Sequence, residues 1–257
     1  KCGIKAALHE SNSLPGVSVK MLAPKADLVM LGTEDAKKHL GECKKCVVTG
    51  NPLRNNIPIE EKSAARKRLG LPDCLTILSA GGSQGASRLN EAVVQLLAYE
   101  QKKGNISRIH GYGKHGRDTF MQSLEDNGVD AGNPHFIIKE YIDNMYTCMC
   151  ASDLIITRAG AMTLTEITAI GRASVLIPYP YAAENHQYYN ALTLQNANAG
   201  RIIDDKELTG SVLIDTVNRL ADDPELLRLM SENAAKLSKR DAAGIILREI
   251  TELMGIK

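Results

Sequence analysis

The sequence predicts an α/β protein built on parallel sheets, and two observations carry that class. Short β-prone apolar runs alternate with helical segments along the 257-residue chain, the pattern of a parallel sheet covered on both faces. Several of those runs end in small-residue turns that open directly into a helix, the joint at which doubly wound sheets bind ligands. A composition of 44% apolar and 24% charged residues is ordinary for a globular chain with a buried core.

Ile4 to Leu8 reads as a strand ending in the polar cluster His9-Glu10-Ser11-Asn12. Val17 to Ala26 follows as a short helix, Asp27 to Leu31 as a strand, Thr33 to Leu40 as a helix and Cys46 to Thr49 as a strand. Gly50-Asn51-Pro52-Leu53-Arg54-Asn55-Asn56-Ile57-Pro58 is turn chemistry from end to end, so a domain boundary is placed near Arg54. Three strands make a poor domain, and the first residue is Lys1, so the sequence is expected to begin inside a larger N-terminal domain. The unpaired edge of such a half-sheet predicts that residues 1 to 53 either pair with another chain or are poorly ordered.

The second series is more complete. Helix Glu60 to Leu69 leads to the strand Leu75 to Ala80, a glycine loop and the helix Ser87 to Gln101. Strands recur at Ile106 to Ile109, Phe136 to Lys139, Leu154 to Thr157, Ser174 to Ile177 and Arg201 to Ile203, with helices between them. Helices Thr209 to Leu220, Pro224 to Ser238 and Asp241 to Leu253 close the chain, Pro224 standing at a helix start where its missing N–H costs nothing. The expected division is 1–53, 54–240 and a closing helix 241–257 packed back on the first part.

Three strand ends carry chemistry. At Gly81-Gly82-Ser83-Gln84-Gly85-Ala86 the backbone can take positive φ and turn several N–H groups on one spot, which suits a phosphate. Gly85 is followed by Ala86-Ser87 rather than Lys-Ser, which excludes the ATP-binding loop. The next strand ends in His110-Gly111-Tyr112-Gly113-Lys114 without the carboxylate that a dinucleotide fold uses on its ribose, which weighs against a nicotinamide cofactor. The second end, Thr157-Arg158-Ala159-Gly160-Ala161, opens a helix with Glu166 on its second turn, and one carboxylate there can accept from both hydroxyls of a ribose. The third, Pro178 to Asn190, is rich in amides that both donate and accept, as sugar hydroxyls do. Phosphate donors, a ribose-type carboxylate and sugar-type amides at one sheet edge describe a nucleotide-sugar site.

Other classes recede. A net charge of +1, two Phe and no Trp give neither the field nor the rings for nucleic acid. No run approaches the about 18 apolar residues of a membrane span, and with no leader visible the default location is cytoplasmic. Cys43-Lys44-Lys45-Cys46 and Cys148-Met149-Cys150 lack the spacing of a structural zinc site, and reduced thiols are the expectation.

Gly81-Gly82-Ser83-Gln84-Gly85-Ala86, Gly50-Asn51-Pro52-Leu53-Arg54, Arg158-Ala159-Gly160-Ala161, Glu184-Asn185-His186-Gln187 with Asn190-Ala191, and His9-Glu10-Ser11-Asn12 resemble, in order and spacing, the MurG family. Those enzymes transfer N-acetylglucosamine from UDP-N-acetylglucosamine to lipid I, giving lipid II in peptidoglycan synthesis. The resemblance implies a GT-B type fold of two Rossmann-like domains, here with the C-terminal domain complete and the N-terminal domain partial. It implies an inverting hexosyltransferase without metal or cofactor, peripheral at the cytoplasmic face of the bacterial membrane. Carried over by position, Ser83 with Gln84 and Gly85 binds the diphosphate, Arg54 adds charge there, and Ile142 holds the uracil through its backbone. Ala161, Met162, Thr163, Leu164 and Thr165 line the nucleotide, Glu166 takes the ribose, Gln187 reads the sugar and Asn12 faces it across the cleft. Ser11 stands where the family has Gln. The family's Gly-Gly-Thr-Gly-Gly-His loop, source of its proposed base, is not in this sequence, so donor binding with little transfer is expected, with His9 or Glu10 as the substitute base. The alternative is a donor-binding subunit that works with a separate acceptor-binding partner.

Overall fold

The computed structural model describes residues 3–54, 57 and 59–256, so Lys1, Asn55, Asn56 and Pro58 of the readings above lie outside the described residues. Two parallel sheets organise them. The first has the order β1 (Ala7–Glu10), β2 (Leu28–Leu31), β3 (Cys46–Val48), with α1 (Val17–Leu22) and α2 (Lys37–Leu40) between the strands. Its buried middle strand packs Val29 and Leu31 with Ala23, Ala26, Ala36 and Leu40 into a small core.

The second sheet is built from β4 (Leu75–Ala80), β5 (Ile106–Gly111), β6 (Phe136–Lys139), β7 (Leu154–Thr157), β8 (Ala173–Leu176) and β9 (Gly200–Ile202). Its order is β6-β5-β4-β7-β8-β9, every pair parallel. Strands β5, β7 and β8 are buried along their whole length, as in a sheet sandwiched between helices. One face is covered by α4 (Ser87–Lys103) and α9 (Gly210–Ala221), the other by α3 (Lys62–Leu69), α6 (Met145–Ala151), α7 (Ala161–Ile170) and α8 (His186–Asn196). Leu89, Val93, Leu96, Leu97 and Glu100 recur along α4 at helical spacing, and Gly104 in the left-handed region ends it. Glu100 meets the wholly buried Arg108 of β5 in a two-point ion pair, its Nε–Oε2 distance 3.0 Å.

Helices α5 (Phe120–Asp126), α10 (Pro224–Lys236) and α11 (Ala242–Met254) complete the fold. Thr209 and Asp223 cap α9 and α10 by accepting from Val212 N and Leu226 N at 3.2 and 2.9 Å, satisfying amides that each helix leaves open. After α10 the chain returns to the first sheet: Lys45, just before β3, pairs with Glu249 of α11 at 2.7 Å. Gly50, at φ +83°, lies where a Cβ would stand 2.4 Å from the Lys239 Cβ, so the two chain crossings touch there.

Candidate functional site

In the larger sheet the strand order reverses between β4 and β7, and Ala80 at the end of β4 is in register with Gly111 of β5 and Thr157 of β7. The crevice beyond such a reversal is where open α/β sheets bind ligands. Gly82 and Gly85 adopt φ of +90° and +87°, which folds the loop after β4 back on itself through a 3.0 Å bond from Gly85 N to Gly82 O. A Cβ on Gly85 would stand 2.3 Å from the Tyr112 carbonyl oxygen, so the loop touches the turn after β5 backbone to backbone. Ser83 O and Gln84 O accept from Lys114 N and His115 N at 3.1 and 2.9 Å, while the Ser83 and Gln84 residues face solvent. That turn is held in its own right, by Asn90 Nδ2 donating to Tyr112 O at 2.9 Å and by Gly113 N donating to Glu140 O at 2.9 Å.

Arg54, Ser83, Ile142 and Glu166 share one cavity of about 340 Å³, with Glu140 and Tyr146 also on its wall. Ile142 is buried, its Cδ1 so close to Gly111 that a Cβ there would lie at 3.2 Å. Glu166 Oε1 accepts from the Tyr146 hydroxyl at 2.9 Å. Burial, then this bond to Glu166, pushes the Tyr146 phenol up in pKa, against the pull of Arg54. Glu140 is fixed by Arg117 at 2.7 and 2.9 Å. Helices α4 and α7 both begin without a side-chain cap, leaving first-turn N–H groups open.

A second cavity, of about 460 Å³, lies between the two sheets and takes Ala161, Leu164, Thr165 and Thr168 of α7. Of residues 161 to 165, expected to line the nucleotide, Ala161, Leu164 and Thr165 thus border this second cavity. With 3.6 residues per turn the helix gives Glu166 to the first cavity and 161, 164, 165 and 168 to the second. Leu164 is 5% exposed and belongs to the core, and Thr165 Oγ1 donates to Ala161 O at 2.8 Å while accepting from Asn51 Nδ2 at 3.0 Å. Met162 is an exposed side chain of this helix and Thr163 is half-buried.

The pair expected to offer a substitute base, His9 and Glu10, belongs to the smaller sheet. Both lie within β1 rather than beyond it, His9 opposite Met30 and Glu10 opposite Leu31. His9 Nε2 is 3.0 Å from Gly50 O. Glu10 is 5% exposed and accepts from Asn12 N, Asn12 Nδ2 and Gly16 N at 2.8, 3.1 and 3.0 Å, so its carboxylate ties a turn. Asn12 Oδ1 accepts from Asn190 Nδ2 at 3.1 Å, and Asn190 Oδ1 accepts from Ser13 N at 2.8 Å, an amide clasp between the loop after β1 and α8.

The third strand end is braced from within. Gln187 Oε1 accepts from Ala159 N and Tyr179 N at 3.2 and 3.0 Å, tying the loop after β7 to the loop after β8. Arg158 Nη1 is 2.5 Å from Asp205 Oδ1. Glu184 and Asn185 hold φ of 49° and 57°, positions costly outside glycine, and Glu184 accepts from Val17 N at 3.2 Å across the gap between the two sheets. Sequence reasoning missed Tyr146 and Glu140, which follow no motif of their own. Among the described residues no group of three or more His, Cys, Asp or Glu is placed to hold a metal, and Cys43, Cys46, Cys74, Cys148 and Cys150 form no disulfide.

Residues 76–245 match the family model of the glycosyltransferase family 28 C-terminal domain. The UDP-N-acetylglucosamine--N-acetylmuramyl-(pentapeptide) pyrophosphoryl-undecaprenol N-acetylglucosamine transferase of Desulforamulus reducens is 37% identical over 98% of this chain and 68% of its own length. The transferase of the same name from a Thermoanaerobacter species is 38% identical, with 98% and 68% covered. The crystal structure of MurG from Acinetobacter baumannii superposes with a TM-score of 0.78 at 26% identity, over 97% of this chain and 67% of that one. The fold is shared more widely: UDP-GlcNAc 2-epimerase from Neisseria meningitidis superposes with a TM-score of 0.62 at 15% identity, over 91% and 63%. The chain has the GT-B architecture of these transferases and belongs to the MurG family of glycosyltransferase family 28.

Proposed function

We propose that the cavity beside the glycine loop holds the uridine diphosphate of UDP-N-acetylglucosamine, and that the chain serves transfer of its sugar to the 4-hydroxyl of lipid I at the cytoplasmic membrane surface. The observation that carries this reading is that Arg54, Ser83, Ile142 and Glu166, from four separate stretches of sequence, line one cavity at the reversal of strand order. Ser83 and the loop amides meet the diphosphate, the peptide groups of Ile142 meet the uracil, and Glu166 meets the ribose. Gln187 has its carbonyl committed to the loops, which leaves its amide N–H groups for the sugar.

Breaking the glycosidic bond leaves negative charge on UDP. Arg54 and the uncapped starts of α4 and α7 offer fixed positive potential to that charge, so the residues that bind the donor also stabilise the leaving group. Residues 1–53 form the acceptor-side body in this reading, residues 54–240 the donor domain, and 241–257 the helix returning to the first body. No helix among the described residues is long and apolar enough to cross a membrane, in keeping with surface attachment to reach a lipid-linked acceptor.

Calorimetric titration with UDP-N-acetylglucosamine and UDP, with NADH as control, tests the reading. Both uridine ligands are expected to bind, NADH is not, and Glu166→Ala is expected to weaken the uridine ligands. A folded wild-type chain that takes up neither uridine ligand would overturn the assignment.

A further inference from the structure

Glu166 does not stand alone in the cavity. We propose that Tyr146 is a positioning residue whose phenol fixes the Glu166 carboxylate for a ribose diol, so that the site discriminates ribonucleotides from 2′-deoxyribonucleotides. The proposal rests on the donor reading above and deepens it.

Tyr146 is the second residue of α6, and the next five, Thr147 to Ala151, are all buried. The helix is therefore anchored in the core, and the half-buried phenol is presented from a rigid base on the cavity wall. Its hydroxyl donates to Glu166 Oε1 at 2.9 Å. A glutamate alone on a helix has three rotatable bonds to immobilise when a ligand arrives, and the cost of that ordering subtracts from affinity. Here the phenol has already chosen the rotamer.

The hydrogen-bond inventory then favours a diol. The phenol has one proton, which goes to Oε1, so its oxygen can only accept from a further partner. Oε1 keeps capacity for one more donor and Oε2 is left for another, with the phenol oxygen beside them. Two neighbouring hydroxyls supply the donors that this acceptor-rich pair requires, whereas a 2′-deoxyribose supplies one and leaves an acceptor unmatched in a partly desolvated pocket. Sites built to bond a hydroxyl reject the analogue lacking it for this reason. Because burial raises the phenol's pKa, the donating proton is present throughout the neutral range.

The test is calorimetric titration of UDP and 2′-deoxy-UDP into wild type, Tyr146→Phe, Glu166→Ala and the double variant, with thermal melts to confirm folding. Phe keeps the ring and its packing, so only the hydroxyl is removed. Wild type is expected to prefer UDP, and Tyr146→Phe to lose about five-fold in UDP affinity but under about two-fold for 2′-deoxy-UDP, the scale of one ordinary hydrogen bond. The same substitution made on Glu166→Ala is expected to leave the ratio unchanged, because the phenol acts through the carboxylate. Equal weakening of both ligands by Tyr146→Phe, or no weakening of UDP, overturns the role of Tyr146 while leaving the donor reading in place. A wild type that binds no UDP overturns the donor reading itself and this proposal with it.

Discussion

His110 makes the larger body sensitive to acid from within. It lies on β5, wholly buried, with Nδ1 2.8 Å from Ser79 Oγ of β4 and its ring stacked on Phe120 at 4.8 Å. Nε2 has no hydrogen-bond partner among the described residues. Burial above all, then the charge of Arg108, pushes its pKa down to about 3, with the bond to Ser79 opposing. The unfolded chain binds the proton with an ordinary pKa near 6.5, so stability is fully present above that value and is lost as pH falls toward about 3. At about pH 4.5 the shift corresponds to a loss of about 2.7 kcal/mol relative to about pH 7.5, at about 1.36 kcal/mol per unit. Surface carboxylates also begin to titrate there, so the comparison is between wild type and His110→Asn, which keeps an amide near Nδ1 but cannot be protonated. Urea denaturation at both pH values gives two losses for each protein. The wild type is expected to lose about 2.7 kcal/mol more than the variant, and equal losses would refute a histidine held neutral in the core.

Gly85→Ala would force a Cβ to within 2.3 Å of Tyr112 O at φ +87°; an affinity loss for UDP of about 2 kcal/mol or more is expected by calorimetry, with the far-UV spectrum retained. Glu100→Ala strands the buried Arg108 charge and should cost about 3–5 kcal/mol in urea denaturation, whereas Glu100→Leu with Arg108→Met should cost less, because both charges leave together. Burial pushes the Cys148 thiol up to about 11, so a thiol reagent at about pH 8 is expected to label it in urea and to miss it in the folded chain.

The strands of the larger sheet were legible because local and global preferences agree: Leu75–Ala80 and Leu154–Thr157 are β-prone runs bounded by glycine or polar residues, and the structure buries them as predicted. The smaller sheet was read less well. Ile4, placed in a strand, is 83% exposed, and the strand instead carries His9 and Glu10, because pairing with Met30 and Leu31 decides its register. The predicted helix from Thr33 shrinks to Lys37–Leu40, preceded by a turn in which Lys37 N and Lys38 N bond back three residues to Glu34 O and Asp35 O. At the candidate site, glycine spacing exposed the loop around Ser83, and a carboxylate on the second turn of α7 pointed to Glu166. Tyr146 left no such mark. Its meaning depends on a partner twenty residues away and on two helices packing side by side, which no local pattern records.

Helix α7 joins the candidate site to the interface between the bodies. Glu166 faces the smaller cavity, while Thr165, the next residue back, accepts from Asn51 in the crossing between the two sheets. Asn51 also donates to Ser11 O at 3.0 Å, so one amide ties α7 to the loop after β1. Asn190 makes a parallel tie from α8, to Asn12 and Ser13 on one side and to Ala159 O at 3.2 Å on the other. Ala159 N in turn bonds Gln187, which braces the loop after β8. Every link in this chain is a short polar side chain bonded to backbone or to another such side chain. A gain or loss of one bond therefore shifts the balance without opening an apolar core. A ligand that fixes Glu166 acts on a helix whose neighbouring residue Thr165 carries the Asn51 tie, and by reciprocity that tie biases the carboxylate. Asn12 thus carries the tie across to the smaller sheet, while Gln187 holds together the loops after β7 and β8 to which that tie is anchored.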